Sequence, residues 1–200
     1  MLFRSHGLVQ RLWKAHDAGN GATPLSVYLY GDFIKGFTRL EDHEAATIVI
    51  SFPGIWSSDP ELANRALDQI ERLVGRNSDT YVIAEARRAA SAEMIDEAER
   101  SRLVVALNDL VRRSPGSVGA LLVLSDLLRT GADPDWSASA TFLRRVLELR
   151  PDQVGLYPTA IQLHQRIGDR DRAIEYLQRY QALAGDSAAA RRRVALFVAQ

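Results

Sequence analysis

Histidine, arginine, hydroxyl and glycine-rich stretches are where this chain could do chemistry. Its four histidines are His6, His16, His43 and His164. None stands in a His-Glu-x-x-His pattern, and with no cysteine in the chain a thiolate cannot complete a zinc site. His164 falls on an apolar helical stripe, where an imidazole is read as packed or hydrogen-bonded rather than as a ligand. Gly31–Thr38 (GDFIKGFT) looks superficially like a phosphate loop. Such a loop needs Lys directly after its second Gly, so that the amine reaches the phosphates. Here Lys35 precedes Gly36 and Phe37 follows it. Ser57-Ser58 precede Asp59, yet no nucleophile elbow or positioned base accompanies them. They read as a capping turn ahead of Pro60.

Charged residues give no stronger signal. Arg144-Arg145 and Arg191-Arg192-Arg193 are the notable basic clusters, but consecutive helical residues point about 100° apart and cannot form one patch. Carboxylates such as Glu41-Asp42, Glu97 and Glu99 have no apolar setting that would raise a pKa for acid–base work. No catalytic residue, cofactor-binding residue or metal ligand is nominated. The chain is not read as an enzyme.

The elements that position these residues are mostly helical. Apolar residues make up 46% of the 200, enough for a core. Lys plus Arg and Asp plus Glu number 25 each, so no net field draws the chain to nucleic acid or an acidic membrane. The longest apolar-leaning runs, Ala45–Phe52 and Gly119–Leu124, fall short of the roughly 20 residues a spanning helix needs. No signal peptide is evident, and a cytoplasmic location is expected. Arg191–Gln200 carries a helical pattern with no Gly or Pro to stop it, and the first residues lack an N-cap. The chain is therefore expected to be a piece of a longer protein.

From Pro60 onward, three- and four-residue apolar spacing predicts successive helices. Asp59 and Pro60 open one, with Leu62, Ala66, Ile70 and Leu73 inward until Gly75. Tyr81–Ala92 and Ile95–Val111 follow. Ser117–Thr130 places Val118, Leu121, Leu124 and Leu128 on one side. After Gly131, Ala138–Leu149 turns Phe142, Leu143, Val146 and Leu147 inward. Val154–Ile167 carries Val154, Tyr157, Ala160, Ile161 and Ile167. Its partner carries Ala173, Ile174, Leu177 and Tyr180, and Ser187–Gln200 starts a further helix. Residues 20–57 read two ways. Ser26–Tyr30 and Thr47–Phe52 could be strands, or Leu25–Phe37 and Asp42–Ser51 could form a helical hairpin, which is the favoured reading.

Pro151 and Gly185 stand 34 positions apart and enclose a helix, the Gly168-Asp169 turn and a second helix. With the turn, Ala173-Ile174-Glu175-Tyr176 and the run Glu148–Pro151, this segment resembles the tetratricopeptide repeat family, best over 115–185 and more weakly over 24–114. Tyr157 keeps the family's early aromatic, which is Leu121 in the unit before. Ile161 replaces its small residue, which Ser125 preserves. The resemblance implies an all-α fold of antiparallel helical hairpins stacked as a right-handed superhelix, an α-solenoid. The expected division is an N-terminal helical region at 1–57, degenerate repeats at 58–114, and clearer repeats with a terminal helix at 115–200.

The family's role implies a scaffold or adaptor that binds an unknown protein or peptide, without cofactors, nucleic acid or membrane. Geometry and resemblance together nominate a groove lined by Leu122, Asp126 and Arg129, and by Pro158, Gln162, Gln165 and Arg166. Two alternatives stand beside it. One is the helical tail of a thioredoxin-like or other catalytic domain; the other is a structural spacer.

Overall fold

A computed structural model describes residues 43–51, 56, 59–92 and 95–185. Among these residues there are eight α-helices and no strand. They are α1 (His43–Ser51), α2 (Pro60–Val74), α3 (Asp79–Ala90), α4 (Glu97–Arg113), α5 (Val118–Arg129), α6 (Trp136–Leu149), α7 (Tyr157–Arg166) and α8 (Arg170–Ala184), with one 3₁₀ turn at Val154–Leu156. None of these helices is long and apolar enough to cross a membrane. Thr47–Ser51 is helical rather than extended. Ser26–Tyr30, Leu25–Phe37, Gly31–Thr38 and Ser187–Gln200 lie outside the described residues.

Capping chemistry explains where most helices begin. Asp59 accepts from the Leu62 amide at 3.0 Å, with Pro60 occupying a first-turn position that needs no N–H. Ser78 accepts from Tyr81 N at 3.1 Å, so α3 starts two residues before Tyr81. Asp96 accepts from Glu99 N at 3.0 Å, Asp135 from Ala138 N at 2.8 Å, and Asp169 from Arg172 N at 3.1 Å. Pro158 likewise sits in the first turn of α7, which fixes that helix's start at Tyr157. The expected helix at Val154–Ile167 is thereby divided, and Val154 falls in the 3₁₀ turn, half-buried.

The chain divides into two compact units, with the boundary between Phe142 and Leu143, inside α6. In residues 43–142, α1 packs on α2, and α3 packs on both. In the same way α5 packs on both α3 and α4. Three ion pairs set α3 and α4 antiparallel: Asp79 with Arg113 at 3.0 Å, Glu85 with Arg102 at 3.0 Å, and Arg88 with Glu99 at 2.8 Å. The rising and falling residue numbers admit no other direction. The start of α6 is tied to α5 by two buried serines. Ser125 Oγ donates to the Ser139 carbonyl at 3.0 Å, and Ser139 Oγ donates to the Ser125 carbonyl at 2.8 Å. The small residue expected at Ser125 is thus matched by a second at Ser139, and the two backbones approach through their hydroxyls.

Several inward assignments need correction. Leu73 is 44% exposed although it lies nearly in line with Leu62. The buried residues of α2 run only from Leu62 to Ile70, about the length of the nine-residue α1 on which it packs, and Leu73 falls beyond that stretch. Ile167 is 38% exposed because it is the C-cap of α7, where helical periodicity has already ended. Val118, Leu128, Phe142 and Ile174 are half-buried. In α5 the buried arc is wider than one stripe, taking in Ala120, Val123 and Leu127 as well as Leu121 and Leu124, because two helices press on it.

In residues 143–185, α7 and α8 form a hairpin around the Gly168-Asp169 turn. Gly168 takes φ +77°, a conformation that side chains disfavour. Tyr157 packs edge-on against Tyr176 at 5.9 Å between ring centres, and its hydroxyl donates to the Pro151 carbonyl at 2.9 Å. Ala173 is fully buried.

Candidate functional site

The nominated residues lie on α5 and α7, and each unit presents its own set. On α5, Leu122 and Asp126 are half-buried and Arg129 is exposed. Residues three and four apart share a helix face, which brings Asp126 beside Arg129. Arg129 closes on Asp126 through Nε at 2.9 Å and Nη2 at 2.8 Å, both to Oδ1. The two are therefore partners of each other rather than independent groups. An exposed pair of this kind contributes only about 0.2–1 kcal/mol, so a ligand could displace it cheaply.

On α7, Pro158 and Gln165 are half-buried, while Gln162 and Arg166 are exposed. Gln162 and Arg166 are four residues apart and share a face.

Arg87, on α3, was not nominated from the sequence. It sits in the last turn of that helix with Arg88, where basic residues are ordinarily solvated and favoured by the helix dipole. Its neighbour behaves that way, pairing with Glu99. Arg87 instead turns inward against α5. Its Nη2 lies 3.9 Å from where a Cβ on Gly119 would stand, and Ile83, one turn earlier, lies 3.6 Å from the same point. Its Nε is buried and donates to no acceptor among the described residues. Burial lowers the pKa of this guanidinium, and the Asp126 charge opposes that shift. The sequence signal was the i, i+4 spacing of Ile83 and Arg87 opposite a helical glycine. Only the packing shows that the glycine makes room for the arginine.

His164 belongs to a structural cluster. Its Nδ1 stands 3.1 Å from Asp169 Oδ2, and its ring meets Tyr176 edge-on at 5.3 Å. Burial pushes its pKa down, against the pull of Asp169. Asp169, held by the Arg172 amide and by His164, has its pKa lowered. The other expected candidates are either dispersed or not described. Glu97 pairs with Arg100, and Arg144 lies 3.6 Å from Glu148. His6, His16, Glu41-Asp42, Ser57-Ser58 and Arg191–Arg193 lie outside the described residues, as does the side chain of His43. Among the described residues, no group of three His, Cys, Asp or Glu side chains is placed to hold a metal ion. No protein-family model matches the chain, and no characterised protein matches it in sequence.

Proposed function

We propose that this chain is a protein-interaction module, a scaffold or adaptor built of tetratricopeptide-like hairpins stacked as a right-handed solenoid. One observation carries the reading. In residues 43–142 the first helix of each later hairpin packs on both helices of the hairpin before it: α3 on α1 and α2, then α5 on α3 and α4. Such contacts support the nearest-neighbour packing expected of a repeat array, in which first helices lie side by side. Aligned first helices offer a continuous, side-chain-lined face suited to an extended peptide. The polar and apolar mix on α5 and α7 fits that use, with amides for a peptide backbone and arginines for carboxylates.

Binding should respond to each set separately. Gln162→Ala with Arg166→Ala tests α7, and Asp126→Ala with Arg129→Ala tests α5. Either double variant that touches the ligand should weaken a partner's binding about tenfold while helical circular dichroism is unchanged. A partner whose affinity survives both double variants would place the interaction elsewhere on the molecule.

A further inference from the structure

We propose that Arg87 is the anchor of an acidic peptide, its guanidinium receiving the side-chain carboxylate of a glutamate or aspartate at the place bounded by Ile83, Gly119 and Asp126. The proposal rests on the reading of the first-helix faces as a peptide-binding surface and names the chemistry recognised there.

Arginine Nε is a strong donor, and here it is buried with no acceptor among the described residues. Native structures keep few such groups without a reason. The nearby carboxylate of Asp126 acts on Arg87 through space, and its Oδ1 is held by Arg129. Two guanidinium charges therefore share one carboxylate, leaving a local excess of one positive charge. A single carboxylate neutralises that excess, whereas a phosphate, near double charge, would overshoot it.

Geometry narrows the ligand further. Nε and Nη2 form the side-on fork that grips both oxygens of a carboxylate. Gly119 leaves the Nη2 edge uncovered by any side chain of its own. Leu122, one turn along α5, and Ile83 are half-buried and supply apolar neighbours for methylenes. A recessed guanidinium is reached more readily by a slim, flexible arm than by a chain terminus. That selects an acidic side chain over a terminal carboxylate.

The test follows the Nε–Hε resonance of Arg87 in ¹H–¹⁵N spectra of the full chain, assigned by its absence in Arg87→Lys. Probes are Nα-acetylglutamate amide, N-acetylglycine, phosphate and chloride at matched ionic strength. A saturable shift with the glutamate probe, beyond that of exposed Arg76, is expected. Gly119→Ala should retain the fold, since its methyl would meet Ile83 and Arg87 at ordinary contact distances, and should raise the probe's dissociation constant about tenfold. No shift, or one equalled by chloride, overturns the anchor. An equal or larger response to N-acetylglycine or phosphate overturns the side-chain carboxylate. An unchanged constant in Gly119→Ala overturns the location. None of these readouts needs the natural partner, so the anchor and the array reading fail independently.

Discussion

Protonating His164 would place a charge on a residue only 6% exposed. Its folded-state pKa lies below the ordinary 6.5 because burial outweighs the help of Asp169. The unfolded chain thus takes up the proton first, and stability falls as pH drops below about 6.5. Asp169 has a lowered pKa, so its contribution disappears at still lower pH, in the same direction. The midpoint of thermal unfolding should therefore fall between pH 7.5 and pH 5.5, and fall less in His164→Phe, which keeps the edge contact with Tyr176. Equal falls in both proteins would show that another group titrates. Ala173 permits a second test at this scale. It is fully buried, so Ala173→Leu should overpack the hairpin and destabilise it by roughly 1–3 kcal/mol in denaturant titration, and an effect near zero would show unexpected room there. Glu175→Ala, which loses pairs with Arg172 and the exposed Arg179, should stay within about 0.5 kcal/mol.

Helix ends decide how α4 and α5 are joined. Arg100 of α4, only 9% exposed, donates from Nε to the Leu127 carbonyl at 3.1 Å and pairs with Glu97 at 2.7 Å. With the Thr130 hydroxyl, which donates to the same oxygen at 3.1 Å, it satisfies a carbonyl in the last turn of α5 that the helix backbone leaves open. Gly131, at φ +94°, lets the chain pass Arg100; a Cβ there would come within 3.2 Å of Nε. Arg100→Ala should cost about 1.5–3 kcal/mol, the worth of a charge-assisted bond to a buried carbonyl. Arg102→Ala, which loses a half-exposed pair with Glu85, should cost no more than about 1 kcal/mol. Denaturant midpoints of the two variants compare them directly, and equal costs would remove the cap from the account. This contrast shows what the sequence could and could not convey. Asp59-Pro60, the Gly168-Asp169 turn and the apolar periods were legible because each acts within one turn of its own chain. Arg87, Arg100 and Ser139 were not, because a polar residue on a helix looks the same whether it faces water or another helix. Leu73 and Ile167 failed for the complementary reason: period gives direction, and the end of the neighbouring helix, or of their own, gives exposure.

At the scale of the molecule, the helical content followed from periodicity, while the order of packing required the contacts of α1–α3 and α3–α5. The proposed groove was legible only as helix faces. The Asp126–Arg129 pair and the recessed Arg87 depend on which helices touch. If residues 43–142 are a stack of hairpins, damage should spread through interfaces and weaken with distance along the stack. Leu124 is fully buried in α5, and Leu124→Ala should cost about 2–5 kcal/mol locally. Amide hydrogen exchange reports that loss element by element. Protection should fall most in α5, next in α3 and α4, on which it packs, and least in α1 and α2, on which α3 packs. A graded loss in that order is the signature of nearest-neighbour coupling. A uniform fall across α1–α5 would instead mark one cooperative core, and the array reading of this unit would have to be abandoned even though every helix remained in place.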